Sequence, residues 1–314
     1  MIAPCETEDI KATHAMLDLR FKLNPRAPEI PSCSAVLHGI ATRYNVDNYR
    51  TTLSVKSVVR GAALYTTPQA RHLVTKDCFL ILNEGQQYSL EFQWPSSTET
   101  ICPFFQPGFL EHVSYCRLAP TAKQLDDLET PKTCTGFYEH LYPRTGEVGR
   151  LLDELQYGIS ANGACGDWLE DRMYELTGAL ARLNGAISSD VSKVGAMRSS
   201  TRDELYRRLH RGRDFLSACY ASRISVANAA RAAKLSPAHF HRQFKALFRQ
   251  TPMQFLQQRR LAAARSLLLD TEEPVTNICF MIGFESLGSF SALFRRRFGC
   301  SPNQYRRLHC ARRK

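Results

Sequence analysis

The segment 236–248, SPAHFHRQFKALF, carries Phe240, Phe244 and Phe248 four residues apart. That spacing predicts one buried helical face, which leaves Ala238, His239, His241, Arg242 and Lys245 on the others. Arg can grip guanine O6 and N7 with a two-pronged fork, His can donate to a base acceptor, and Ala can pack on a thymine methyl. His241 and Arg242 are therefore the candidate base readers and Ala238 the candidate methyl contact, while His239 divides between plain exposure and a phosphate contact. A second segment, 286–298, SLGSFSALFRRRF, repeats the pattern at an offset of 50 with Phe290, Phe294 and Phe298. Its corresponding positions, Leu287, Gly288, Ser289, Ser291 and Ala292, are small and poor in donors, which predicts weaker direct reading. Arg295, Arg296 and Arg297 follow as candidate phosphate clamps, although a basic run is also an ordinary solvated face.

The elements that position these residues are legible upstream and downstream. Ser236 and Ser286 are candidate N-caps, Pro237 suits the first helical position, and Pro252 and Pro302 follow the helix ends. Before each segment the repeat continues at an offset of 49, with Val226 on Val275, Ala229 on Ile278, Ala230 on Cys279 and Lys234 on Gly283. The one-residue change falls inside a tight turn. Each unit thus reads as a short helix (about 225–233, about 274–282), a turn, and a second helix, a helix-turn-helix read twice. Residues 253–269 have few breakers and read as one long helix that fixes the separation of the units. If that separation is near one turn of B-DNA, about 34 Å, both second helices can enter successive major-groove segments. Charge agrees: residues 1–197 hold 18 Lys/Arg against 23 Asp/Glu, a net of −5, whereas 198–314 hold 23 against 7, a net of +16. A polyanion is the natural partner, nucleic acid ahead of an anionic membrane. Arg306, Arg307 and the terminal Arg312, Arg313 and Lys314 read as nonspecific charge.

At about 205–308 the chain resembles the AraC/XylS family of bacterial transcription regulators. The resemblance rests on the Ser-Pro and paired-Phe pattern from Ser236, on Arg260-Leu261 with Ala264, Leu267 and Leu268, on Ile278 through Ile282-Gly283-Phe284, and on Ser301-Pro302 with Tyr305-Arg306. Lys234, Cys279 and Arg249 depart from it, the first and last at turn positions where the family often has Gly. The resemblance implies double-stranded DNA as partner, activation of nearby promoters through RNA polymerase, and a cupin-type sensor domain upstream, which Asn83–Tyr88 and Phe104-Phe105 resemble.

From about Tyr49 to Val113 the chain reads as strands and turns. The alternation in 87–93 puts Tyr88, Leu90 and Phe92 on one face. Phe79–Leu82, Leu64–Thr66 and His72–Val74 are further strands, and Asn83-Glu84-Gly85 suits a hairpin connection. The fold class expected is a two-domain α+β chain: a cupin-like β-sandwich or barrel with a helical dimerisation segment over 1–195, and an all-α domain with two helix-turn-helix units over 196–314. Val148, Leu151, Leu152 and Leu155 mark one helix. Leu169, Met173, Leu176, Leu180 and Leu183 follow an a/d rhythm, which serves either packing on the chain's own strands or a homodimer seam. Residues 184–200 read as the linker, and Thr201-Arg202-Asp203-Glu204 as a capping box opening a helix of about 201–220 with Leu205, Leu209, Phe215, Leu216 and Cys219 inward.

The strand domain is expected to enclose a small organic effector, with Tyr88, Phe92, Phe104 and Phe105 as candidate lining residues. Two rivals are a cupin-type metal-dependent enzyme and a Cys-based redox or metal sensor fused to the DNA-binding module. His72, Glu91 and His112 offer no H-x-H pair for a metal. The eleven cysteines, odd in number and without a C-x-x-C pair, suggest packing rather than zinc or disulfides. No catalytic residue, metal or cofactor is expected. The lack of a leader or of a long apolar run points to the cytoplasm and no membrane span.

Overall fold

The computed structural model describes residues 11–14, 34–92, 97–110, 136–162, 166–192 and 199–310. The chain divides into two compact units, Met1–Arg207 and Arg208–Lys314. In the first, the described strands are β1 (Lys11–His14), β2 (Ala35–Ala41), β3 (Asn45–Arg50), β4 (Ser54–Arg60), β5 (Ala62–Thr66), β6 (Arg71–Thr75), β7 (Cys78–Leu82), β8 (Gln87–Phe92), β9 (Thr98–Phe104) and β10 (Leu141–Pro143). They form a six-stranded sheet in the order β1-β2-β9-β4-β7-β10 and a four-stranded sheet in the order β3-β8-β5-β6.

The alternation read in β8 is observed: Tyr88 and Leu90 are buried while Gln87 and Glu91 are exposed, and Phe92 is half-buried. Their partners inside are Tyr49, Val58, Tyr65, Leu80, Leu82 and Phe104. The hairpin expected at Asn83–Gly85 is not there, because β7 and β8 belong to different sheets. The segment instead crosses between the sheets. Gly85 takes the positive φ of +77°, Asn83 exchanges side-chain bonds with the backbone of Phe137 at 2.7 and 2.9 Å, and Gly85 N–H donates to the Thr51 carbonyl at 2.8 Å.

Among the described residues, this unit also carries the helices α1 (Gly146–Asn162) and α2 (Gly166–Ser192). Val148, Leu151, Leu152 and Leu155 are buried, as are Leu169, Met173, Leu176 and Leu180, and α1 packs on α2. Four of the five a/d positions are thus buried in the single chain, and Leu183 is half-buried. The expected linker is partly helical: α2 continues through 184–192, and the buried Ile187 keeps that turn attached.

The next helix, α3 (Ser199–Ala218), begins two residues before the expected capping box. The division between the units falls inside it. Leu205, Leu209 and Leu216 are buried as expected, but Phe215 and Cys219 are only half-buried. The second unit continues with α4 (Val226–Ala232), α5 (Pro237–Phe248), α6 (Pro252–Asp270), α7 (Val275–Met281), α8 (Leu287–Phe298) and α9 (Pro302–Cys310). α6 buries Leu256, Leu261, Ala264, Leu267 and Leu268. At ~1.5 Å rise per residue its 19 residues span about 28 Å. Among the described residues, no helix is long and apolar enough to cross a membrane.

Candidate nucleic-acid interface

The pair α4–α5 and the pair α7–α8 have the same local construction. Ser236 Oγ accepts from His239 N–H at 3.4 Å, and Ser286 Oγ from Ser289 N–H at 3.3 Å, so each second helix starts on a serine cap. The turns match bond for bond. Ala233, Lys234 and Leu235 N–H donate to the carbonyls of Ala229, Arg231 and Ala230, as Ile282, Gly283 and Phe284 N–H do to those of Ile278, Phe280 and Cys279. The left-handed residue is Lys234 (φ +53°) in one and Gly283 (φ +83°) in the other, so Lys234 adopts the geometry its glycine counterpart adopts. The extra residue of the second turn is Glu285, exposed and paired with Arg223 at 2.8 Å.

Phe240, Phe244, Phe290 and Phe294 are fully buried, whereas Phe248 and Phe298 are half-buried and close the ends of the two faces at 4.5 Å from Phe244 and Phe294. α5 is pressed onto α3 so closely that a Cβ on Gly212 would sit 2.4 Å from the Phe240 ring. With the rings committed inward, the opposite face of α5 presents Ala238, His241, Arg242 and Lys245 to solvent, with His239 half-exposed. On α8, Leu287, Gly288, Ser289 and Ala292 are exposed and Ser291 half-exposed, followed by the exposed Arg295, Arg296 and Arg297 in the last turn. Every candidate DNA-contact residue thus lies off the buried ring face of its helix. The last-turn arginines also complement the negative end of the helix dipole, a structural role beside any phosphate contact.

Two arginines have a different job from the one their charge suggests. Arg260 reaches from α6 to the Tyr220 and Ser222 carbonyls at 2.8 and 3.0 Å, and its guanidinium lies 5.7 Å from the Phe284 ring centre. Arg306, read above as nonspecific charge, is part-buried and donates to the carbonyls of Leu268 and Glu273. It satisfies acceptors at the end of α6 and fixes α9 there. Arg307 is exposed, and Arg312–Lys314 lie outside the described residues.

The candidate effector residues separate into two layers. Tyr88 and Phe104 face the interior between the sheets and Phe92 packs against that cluster. Phe105, one residue on from Phe104, points the other way. It stacks on Phe109 at 6.3 Å, and Phe109 meets Tyr174 of α2 at 5.0 Å. Phe105 is therefore linked to α2 through Phe109 and is not part of the inter-sheet cluster.

The histidine considered for a metal is engaged otherwise. His72 lies 3.0 Å from Glu139, which also accepts from Thr67 at 2.5 Å and Gln86 at 2.7 Å. Burial alone would raise the Glu139 carboxyl, but those hydrogen bonds outweigh it and hold its pKa below the ordinary value. Glu91 is exposed on β8, and His112 lies outside the described residues. Cys102 and Cys279 are buried and Cys78, Cys219 and Cys300 half-buried, all as free thiols. Cys5, Cys33, Cys116, Cys134 and Cys165 lie outside the described residues, and nothing is described of the Cys310 side chain.

A family model described as a helix-turn-helix domain matches residues 229–308. Over 83 residues the chain is 36% identical to the probable transcriptional regulator LumQ of Photobacterium leiognathi, covering 26% of this chain and 34% of that protein. Over 87 residues it is 40% identical to the HTH-type transcriptional activator RhaS of an Enterobacter species, covering 28% and 31%. The chain thus spans about a third of the length of these curated relatives. Among solved structures, the DNA-binding domain of AdpA in complex with a target DNA aligns at 29% identity and a TM-score of 0.33, over 34% of this chain and 96% of that one. An AraC-type regulator from Chromobacterium violaceum aligns at 23% identity and a TM-score of 0.31, over 36% and 96%.

Proposed function

We propose that the protein is a DNA-binding transcriptional regulator of AraC type, with an effector-sensing part over 1–195 and a DNA-reading part over 196–314 that contains the helix-turn-helix match at 229–308. The observation that carries the reading is the duplicated unit: two serine-capped helices, each with three phenylalanines turned inward and a donor-bearing or basic surface turned outward. Read as two helix-turn-helix units, α5 and α8 enter successive major-groove segments. The ~28 Å of α6 between them is of the same order as the ~34 Å turn of B-DNA. His241 and Arg242 read bases, Ala238 packs on a thymine methyl, and His239 and Lys245 flank them. On α8, Leu287, Gly288, Ser289, Ser291 and Ala292 approach the groove, and Arg295 and Arg296 hold phosphates.

The β-rich part is read as a cupin-like sensor whose small-molecule effector acts by binding DNA-competent and incompetent arrangements with different affinity. Activation belongs to the same proposal, supported by the likeness to the transcriptional activator RhaS; action through RNA polymerase belongs to it on the family resemblance, and a cytoplasmic location on the sequence reading. A homodimer belongs to it on the a/d rhythm of Leu169, Met173, Leu176, Leu180 and Leu183, and sedimentation of the full chain tests it. Selection of bound duplexes by the full chain, followed by titrations at several salt concentrations, tests the DNA reading. Two short preferred elements with centres about 10–10.5 base pairs apart are expected. Equal affinity for all duplexes would remove the reading.

A further inference from the structure

A lysine is buried in the interior of the strand unit. Lys56 on β4 is 1% exposed. Its Nζ lies 3.8 Å from the ring centre of Phe104 and 4.7 Å from that of Tyr88, and donates to the Tyr88 hydroxyl at 3.4 Å. Tyr88 in turn packs at 5.6 Å on Tyr49 and on Tyr65, and the Tyr65 hydroxyl is 3.8 Å from the Cys102 thiol. An amine, three phenols and a thiol therefore converge inside a layer otherwise made of Val58, Ala63, Val74, Leu80 and Leu82. Among the described residues no carboxylate meets Lys56. Burying an unpaired ammonium is costly, and ring faces return only part of that cost. A Met in its place would pack as well without the cost. Apolar walls with a few convergent polar groups are the usual make-up of a small-molecule site.

We propose that this cluster binds a small organic acid, one carboxylate on an apolar body, with Lys56 as the counter-charge and the Tyr88 hydroxyl orienting the carboxylate. The proposal rests on the effector-sensing reading of the strand unit and names the class of its ligand. The apolar body enters at the edge, where the half-buried Tyr44 and Phe92 rings pack at 5.5 Å. Tyr44 directly precedes the edge strand β3, which carries a register irregularity between Val46 and Tyr49 and a left-handed Asn48 (φ +55°). Irregularities of this kind recur beside binding sites, where they re-aim side chains.

Burial pushes the Lys56 amine down to about 7, and an arriving carboxylate favours its charged form. Calorimetry of the full chain with hexanoate and benzoate, in buffers of different ionisation enthalpy, should therefore register uptake of close to one proton at pH 8, falling toward none at pH 6. Hexanamide and benzamide should bind at least tenfold more weakly. Lys56→Met should lose the acids by tenfold or more and melt at a higher temperature than the parent. That gain should be full below pH 7 and fade as pH rises toward 10.5, because the folded amine titrates below the unfolded one. Amides binding as well as acids, proton release in place of uptake, or full acid binding by Lys56→Met would overturn the proposal. So would trapping of an imine between Lys56 and benzaldehyde by borohydride without any binding of acids. Sugars or other neutral metabolites raising the melting temperature while acids do not would overturn it too, yet leave the effector-sensing reading in place. No ligand of any class would remove both.

Discussion

The two units α4–α5 and α7–α8 share backbone and differ in surface. Their serine caps, ring faces and turn hydrogen bonds coincide, yet the outward face of α5 carries His241, Arg242 and Lys245 while that of α8 begins Leu287, Gly288, Ser289 and holds its charge back to Arg295–Arg297. Their first helices differ as well. α4 opens on a capping box between Ser225 and Asn228, α7 on Pro274 without a side-chain cap. The fully buried rings Phe240 and Phe244 have identical counterparts in Phe290 and Phe294, whereas the buried Ala229 and Ala230 correspond to Ile278 and Cys279. Exposed positions answer to whatever they touch and diverge. Under the proposed DNA-reading function, the contrast assigns base reading to α5 and phosphate anchoring to α8.

The turns give the largest test of this contrast. Gly283 combines φ +83° with a site where a Cβ would lie 2.7 Å from the Ala221 carbonyl oxygen and 2.9 Å from that of Tyr220. Both are backbone atoms, so Gly283→Ala is expected to cost about 3 kcal/mol in a denaturant titration. Gly299 has a similar φ of +82° but nothing near its Cβ position, so Gly299→Ala should cost only about 1 kcal/mol. Equal losses would mean that close approach adds nothing at Gly283.

Binding tests come next in size. Arg242→Ala should cost ~1–3 kcal/mol on the selected duplex and relax preference at one base pair. Arg296→Ala should weaken all duplexes alike, by about 1 kcal/mol, and reduce the salt slope by about 0.9. An Arg242 variant that loses affinity equally on every sequence would erase the division between reader and anchor.

Legibility in the sequence followed the number of faces each element buries. α5 and α8 bury one face, so ring spacing located them, their caps and their outward residues. β4 is buried on both faces from Ser54 to Val58, and period-two alternation says nothing there. That is why Lys56 was not singled out. The available signal was a single charge within 52–59, between flanking turns. β10 has only three residues and its pairing with β7 is long-range, beyond any local pattern. Arg306 was read by charge and Arg260 only as part of the motif, whereas their contacts are carbonyls 33 to 38 residues away for Arg306 and 38 to 40 away for Arg260. Phe105 was grouped with Phe104 by adjacency, which in a strand assigns opposite faces.

The smallest effect bears on whether the first unit tolerates its departures from glycine or uses them. Lys234 (φ +53°) and Arg249 (φ +58°) stand in the left-handed region where the second unit has Gly283 and Gly299. Left-handed backbone costs a side chain ~1–2 kcal/mol, and glycine returns part of that through its freedom in the unfolded chain. Both side chains are exposed, so little packing is lost on their removal. The Lys234 carbonyl that accepts from Arg208 at 3.4 Å is backbone and survives the substitution. Lys234→Gly and Arg249→Gly are each expected to stabilise the fold by about 0.5–1 kcal/mol, read as a rise in denaturant midpoint at unchanged slope. If the two positive charges also contribute to the polyanion-binding surface, the same variants will hold DNA slightly less well while folding better. A variant less stable than the parent would show that the side chain, and not the turn it occupies, is what the first unit requires at that position.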